Sequence, residues 1–309
     1  MNEIEQDVIK RIVDLKFKVH QEWNMSLFKD GKKIFKPFTV HESLFHYTTI
    51  QGLFGIVESN CFWLTNIEYM NDLSETKYAS ELIKKMLFDI CEKVEYSYDF
   101  VDYLKHINNI ESNYEECYIA CFSSDGDSLP MWIMYGKEIG VAIEIDLCSD
   151  INFDFGKKCY FKDMIYDEKV LYSFVNKVFD MYHEEYIYLK KYKDIKKYII
   201  EDMVRDLIFN ILLYKTNIKN KNFIHEKETR LLYIYDESAE IKYRVKNKLI
   251  IPYVEIPIKR TDTKKIPIKS IIVGPGEEQN IIRNSIKKYL ESRGYNVEIK
   301  LSTIPYRNR

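Results

Sequence analysis

Leu44-Phe45-His46-Tyr47-Thr48-Thr49 and Phe62-Trp63-Leu64-Thr65-Asn66 are two short apolar runs that end in polar side chains. Between them, residues 50–58 carry Leu53, Ile56 and Val57 at helical spacing, which predicts strand, helix, strand. Polar groups at the ends of neighbouring strands are a common way for a protein of helices and sheet to build a small-molecule site. Asn71-Asp72 extends the second run. A matching acidic element comes much later, in His225-Glu226-Lys227-Glu228-Thr229-Arg230.

Working outward, residues 3–24 place Ile4, Val8, Ile9, Ile12, Val13 and Phe17 on one helical face. Gly31 to Pro37 reads as loop, and Ser74 as the cap of a long helix ending near Cys91. Residues 93–116 are acidic, aromatic and helical with irregular joints. Cys117–Ser123 reads as a strand that enters the polar loop Ser123-Ser124-Asp125-Gly126-Asp127-Ser128, followed by a short turn or helix over Met131-Trp132-Ile133-Met134-Tyr135. Strands are expected at 141–147, carrying Glu144 and Asp146, and at 157–166, 230–235, 250–256, 269–273 and 295–301. A helix is expected at 277–292. The stretch 167–218 is helical and rich in Tyr, Lys and Ile, and reads as an insertion between sheet elements. The organisation expected is a leading helix and loop over 1–40 and a single domain over 41–309. Its class is α+β, with a mixed or largely antiparallel sheet and a helical insertion at about 167–218.

Bulk properties remove several function classes. The chain has 309 residues, 46% of them hydrophobic, and a formal charge of −2 from 46 basic and 48 acidic side chains. No global field draws it to nucleic acid. The polar, acidic start is not a signal peptide, and no apolar run is long enough to span a membrane, so a cytoplasmic protein is expected. Six cysteines are scattered. Cys117 and Cys121 share a strand face but lack a second Cys/His pair, so they predict reduced thiols rather than a zinc site. There is no P-loop, dinucleotide fingerprint, GxSxG or HExxH; Gly274-Pro275-Gly276 lacks the residues such loops need.

Three pieces could carry chemistry, and each has a plain alternative. Glu226 and Glu228 lie two apart, so within a strand both project from one face, where paired carboxylates near an apolar wall can be tuned apart or can stabilise a cation. The same residues could form a solvated turn. His46 is either a core imidazole with a satisfied ring nitrogen or a donor to a ligand hydroxyl. Trp132 and Tyr135 are either core rings or rings that close over a planar ligand.

Several motifs occur in a specific order: His46-Tyr47-Thr48-Thr49, Trp63-Leu64-Thr65-Asn66 with Asn71-Asp72, and Cys121-Phe122-Ser123-Ser124 come first. Met131-Trp132 with Tyr135, Gly140 to Ile145, Glu226-x-Glu228-x-Arg230, Ile271 to Pro275 and Ser302 to Arg307 follow. In this order the chain resembles a bacterial family of unknown function, family 2971, from about Leu44 to Arg307. A second resemblance concerns His46-x-Thr48, Gly52-Leu53, Ile56 and Phe62 to Thr65. These are similar to the opening of ADP-ribosyltransferases of the diphtheria-toxin and poly-ADP-ribose polymerase type.

That second resemblance implies an ADP-ribosyltransferase-like sheet core that consumes NAD as a substrate and expects no metal. Glu228 would be the catalytic glutamate, with Glu226 and His46 beside it. His46, Tyr47, Thr48, Trp63, Thr65, Asn66, Asn71, Ser123, Trp132, Tyr135 and Arg230 would line the NAD pocket. Two departures stand out: Trp63-Leu64-Thr65 replaces the usual Tyr-Ser-Thr, and the insertion before Glu226 is long. Cys121-Phe122-Ser123-Ser124 is an alternative Ser/Thr element. The expected function is an NAD-consuming enzyme, as a toxin or phage-defence effector, whose acceptor stays open. One alternative is a nucleotide- or ligand-sensing module without chemistry. Another is a nucleic-acid-processing protein with Glu144, Asp146, Glu226 and Glu228 as metal-binding carboxylates. No membrane partner is expected, and the Tyr-rich helical stretch is the candidate surface for a protein partner or a second copy.

Overall fold

In a computed structural model, the chain is described over residues 3–25, 28–29, 32–33, 43–70, 73–92, 96–107, 116–136, 139–147, 151–152, 159–192, 197–246, 248–260 and 262–306. Its contacts divide it into two compact units, one drawn from 1–37, 72–114 and 165–221, the other from 38–71, 115–164 and 222–309. The leading helix and the stretch read as an insertion therefore belong to one unit. The sequence reading had made them separate additions to a single domain.

The first unit is helical. Helices α1 (Glu3–Met25), α3 (Leu73–Cys91), α4 (Tyr98–Ile107), α6 (Glu168–Leu189) and α7 (Lys197–Leu213) enclose one core. Ser74, expected as a cap, falls inside α3. The apolar side of α6 supplies Phe174, Val178, Phe179, Tyr182 and Tyr186. Two tyrosines of the expected partner surface are thus part of this unit's own core. Arg11 donates from Nε and Nη2 to the two carboxylate oxygens of Glu185, at 2.7 and 2.9 Å, and lies over the Tyr188 ring. Among the described residues, no helix is long and apolar enough to cross a membrane.

The second unit is built on a ten-stranded mixed sheet, in agreement with the α+β class expected. In chain order its strands are β1 (Leu44–Thr49), β2 (Phe62–Asn66), β3 (Cys117–Ser123), β4 (Gly140–Ile145), β5 (Cys159–Asp163), β6 (Glu228–Ile234), β7 (Lys242–Lys246), β8 (Leu249–Ile256), β9 (Ile268–Val273) and β10 (Glu298–Leu301). Every pairing is antiparallel except β9 with β10, which are joined through helix α8 (Gln279–Ser292) as a parallel pair requires. Gly294, at φ 73°, provides the left-handed residue that lets the chain leave α8. The strand expected at 295–301 begins only at Glu298.

Strand β3 organises this sheet. Along one edge it pairs with β6 over its whole length, Cys117↔Ile234 to Ser123↔Glu228, and β6 passes on to β5. The other edge is shared: β2 takes Ile119 and Tyr118 through Thr65 and Asn66, while β1 takes only Ser123 through Phe45. The sheet therefore forks at β3, with β2, β8 and β7 on one arm and β1, β4, β9 and β10 on the other. Three rings, one from each strand, fill the fork: His46, Phe62 and Phe122 lie with centroids 5.3–5.6 Å apart. Helix α2 (Ile50–Ser59), capped at its start by the Thr49 hydroxyl on Gly52 N, adds Leu53, Ile56 and Val57 to the same apolar core.

Phe62→Ala would empty the fork. We expect a loss of about 3–5 kcal/mol, the usual cost of deleting an enclosed phenyl ring, read as a shift in denaturant midpoint. A loss below about 1 kcal/mol would mean that the strands close without the ring.

Candidate functional site

Strand pleating sorts the predicted site residues onto two faces. Phe45, Ser123 and Glu228 are cross-strand neighbours, as are Cys121, Arg230 and Lys162, so these side chains share one face. Tyr47 joins Phe45 on that face, and Thr65 lies level with Ile119, two residues before Cys121, with Trp63 on the same side of β2. His46, Thr48, Asn66 and Phe122 alternate with these and face the other way.

The polar face is assembled around the loop that leaves β3. Ser123 is fully buried; its hydroxyl donates to the Glu226 carbonyl at 2.7 Å and accepts from Asp125 N. The Tyr47 hydroxyl donates to the Asp125 carbonyl and accepts from Ser128 N, and burial pushes its pKa up. Asp127 is the clasp. Its carboxylate accepts from the Trp132 indole at 2.8 Å, the Ser302 hydroxyl at 2.5 Å and Thr303 N at 3.0 Å. Helix α5 (Leu129–Tyr135) thereby lays Trp132 edge-on against Tyr47, 4.7 Å between centroids, with Tyr135 packed on the same cluster. Gly126 is needed here because a side chain would run into the Phe45 ring, 2.4 Å from where its Cβ would sit.

The acidic element departs from expectation. Glu226 closes a 3-10 turn (Lys221–Glu226) and Glu228 opens β6, so the two do not share a strand face. Lys227 between them is left-handed, at φ 45°, a costly conformation for a residue with a Cβ. It is tied down by Ser124 N on its carbonyl and by its ammonium on Asp125 at 2.9 Å. Both glutamates are buried. Glu228 binds the Arg230 guanidinium at 2.6 Å, an ion pair almost wholly removed from solvent. Lys162 lies across the strand from Arg230, and loss of solvent pulls its ammonium down to about 8.

His46 is turned away from this acid. A carbonyl can only accept, so Nδ1 carries the proton that it donates to Cys121 O at 2.8 Å. Enclosure among rings lowers the pKa of His46, and the nearby Arg244 charge lowers it further. The expected grip of imidazole and Glu228 on opposite ends of one ligand is not formed. Thr48 packs against Gly52 at the start of α2. Asn66 is engaged by Glu116 and by Glu68 N. Asn71 lies outside the described residues.

The proposed metal carboxylates do not converge either. Glu144 is held by Ser43, Ser270 and Lys269, which keep its pKa low although burial alone would raise it. Asp146 pairs with Arg260 at 3.4 Å. Among the described residues, no three His, Cys, Asp or Glu side chains gather as metal ligands, and no disulfide joins Cys61, Cys91, Cys117, Cys121 or Cys159. Two cavities, of about 640 and 420 Å³, lie in the helical unit and beside Cys61 and Cys159, and Glu228 lines neither.

Sequence reasoning did not single out Asp127, Lys162 or Arg244. Asp127 stood in a polar loop that already drew notice, whereas the charged residues of β5 and β7 carried no local signal. A family described as "Protein of unknown function (DUF2971)" matches residues 131–231, about a third of the chain, including Trp132, Tyr135, Glu226, Glu228 and Arg230. No curated protein and no solved structure matches the chain, so the expected likeness to ADP-ribosyltransferases gains no relative.

A protein that keeps His46 neutral loses stability when the ring is forced to take a proton. Unfolded, the ring protonates near 6.5; folded, it resists. The stability it contributes is complete above that value and drains as the pH falls through it. His46→Gln keeps a donor for the Cys121 carbonyl. In this variant, urea midpoints measured from about pH 7.5 to about pH 5 should fall less than in the parent. Parallel curves would remove His46 as the titrating group.

Proposed function

We propose that the protein consumes NAD in the manner of an ADP-ribosyltransferase, with Glu228 as the carboxylate that faces the ribose. The observation that carries this reading is the buried Glu228–Arg230 pair at 2.6 Å, on the sheet face that also presents Ser123, Tyr47, Trp63 and Thr65. Taking two charges out of water is costly, and such arrangements are concentrated at functional sites. The similarity of His46-x-Thr48, Gly52-Leu53, Ile56 and Phe62 to Thr65 to the opening of ADP-ribosyltransferases supports the same reading. His46 has no ligand-binding role in it; its ring closes the fork and holds β1 to β3.

Cleavage of the nicotinamide–ribose bond builds an oxocarbenium-like cation, and a fixed carboxylate lowers its energy without needing to reorganise. Arg230 would hold the Glu228 carboxylate in place. One observation favours a second reading, a ligand-binding module without chemistry: a carboxylate already neutralised by a guanidinium stabilises a cation less well.

Nicotinamide release from NAD separates the two. Glu228→Gln, which keeps an acceptor for Arg230, should lower release by about 10²–10³ with the circular dichroism spectrum unchanged. Release at the parent rate would remove Glu228 from the chemistry. Saturable NAD binding without release, in the parent protein, would select the module.

A further inference from the structure

Arg244, on β7, is a cation that no acidic side chain pairs with among the described residues. Its side chain reaches back along the sheet so that one guanidinium nitrogen donates to the Thr65 hydroxyl at 2.6 Å. The guanidinium carbon lies 5.7 Å from the Trp63 ring centre and 5.4 Å from that of Tyr253, rings that are themselves 5.1 Å apart. Its Nε is shut away from solvent with no acceptor among the described residues. Glu255, on the neighbouring strand, is taken by Lys242 at 2.7 Å.

An arginine stays charged at any physiological pH, and a half-buried charge is expensive unless something opposite in sign stands against it. Burial lowers the pKa of Arg244, no acidic side chain among the described residues offsets this, and the charge is felt by His46. Aromatic walls suit a guanidinium but cannot replace a counter-charge. The Thr65 oxygen accepts from Arg244, which leaves its own O–H to donate outward. A guanidinium edge beside a hydroxyl donor matches the oxygens of a phosphate group.

We propose that Arg244 and Thr65, against the Trp63–Tyr253 wall, form a binding site for a phosphate oxyanion, free or as part of a nucleotide. The site is independent of the reaction assigned to Glu228: nicotinamide release can fail while phosphate still binds, and the reverse.

Inorganic pyrophosphate is the probe, titrated calorimetrically into the full chain in buffer matched for ionic strength with chloride. The parent should show saturable one-site binding, and Arg244→Gln should weaken it about tenfold or more, the loss expected for a charge-assisted contact. A second readout follows the His46 imidazole by NMR. Neutralising Arg244 removes a positive charge from its surroundings, so saturating pyrophosphate should raise the pKa of His46 in the parent, as Arg244→Gln should without ligand. Should that variant fail to fold, the shift in the parent decides alone. Absence of saturable binding, undiminished binding by Arg244→Gln, or a His46 titration unmoved by pyrophosphate would each overturn the site. AMP binding tighter than pyrophosphate, with adenosine silent, assigns the oxyanion to a nucleotide; equal binding assigns it to free phosphate. Adenosine binding as well as AMP would overturn the proposal.

Discussion

Two strands compete for one edge of β3, and most of the sheet unit follows from how that competition is resolved. Thr65 and Asn66 take one end of the edge and Phe45 takes the other, so the arms built on β2 and β1 must part between them. An open wedge in a sheet would expose unpaired backbone polar groups, which proteins avoid. Here the wedge is closed by His46, Phe62 and Phe122, and the His46 ring also serves the Cys121 carbonyl. A histidine suits this place because it combines an apolar ring face with one donor. The cost is a side chain that must stay neutral in the fold.

The same fork determines which residues can meet. Because β1 pairs with β3 as a strand only at Phe45 and Ser123, the pleat puts Tyr47, Ser123 and Glu228 on one face and His46 on the other. The polar face then gains its order from the loop after β3. Asp127 gathers an indole, a hydroxyl and a backbone amide from α5 and the C-terminal segment. Four stretches of sequence, 45–47, 123–132, 226–230 and 302–303, are brought together in this way. A buried ion pair and a left-handed lysine stand close along the chain there, with a depressed ammonium on the next strand, and each would be a burden in a purely structural sheet.

Electrostatics divides this face into two regions of different character. Near β6 the charges are matched, since Glu228 stands against Arg230. Near β7 they are not, since Arg244 has hydroxyl and ring neighbours alone among the described residues. A matched pair fixes geometry, whereas an unmatched cation leaves a field that a ligand can satisfy. The reaction and the anchor are therefore separate physical questions on one sheet.

The sequence by itself determined the local structure and the kinds of side chain that matter. The strand read at Cys117–Ser123 has its observed ends, helical spacing marked α2, and α8 lies within the helix expected at 277–292. It also drew notice to Tyr47, Trp63, Thr65, Ser123, Trp132, Glu228 and Arg230, all of which the fold places on or against one sheet face. Only tertiary structure decided that His46 faces the other way, that Glu226 leaves the strand, and that Arg244 reaches Thr65 across 179 positions of chain. Alternation records which residues of a strand share a side, but it does not record which strands pair or in what register. Those are long-range choices, made here by the burial of three rings where the sheet divides.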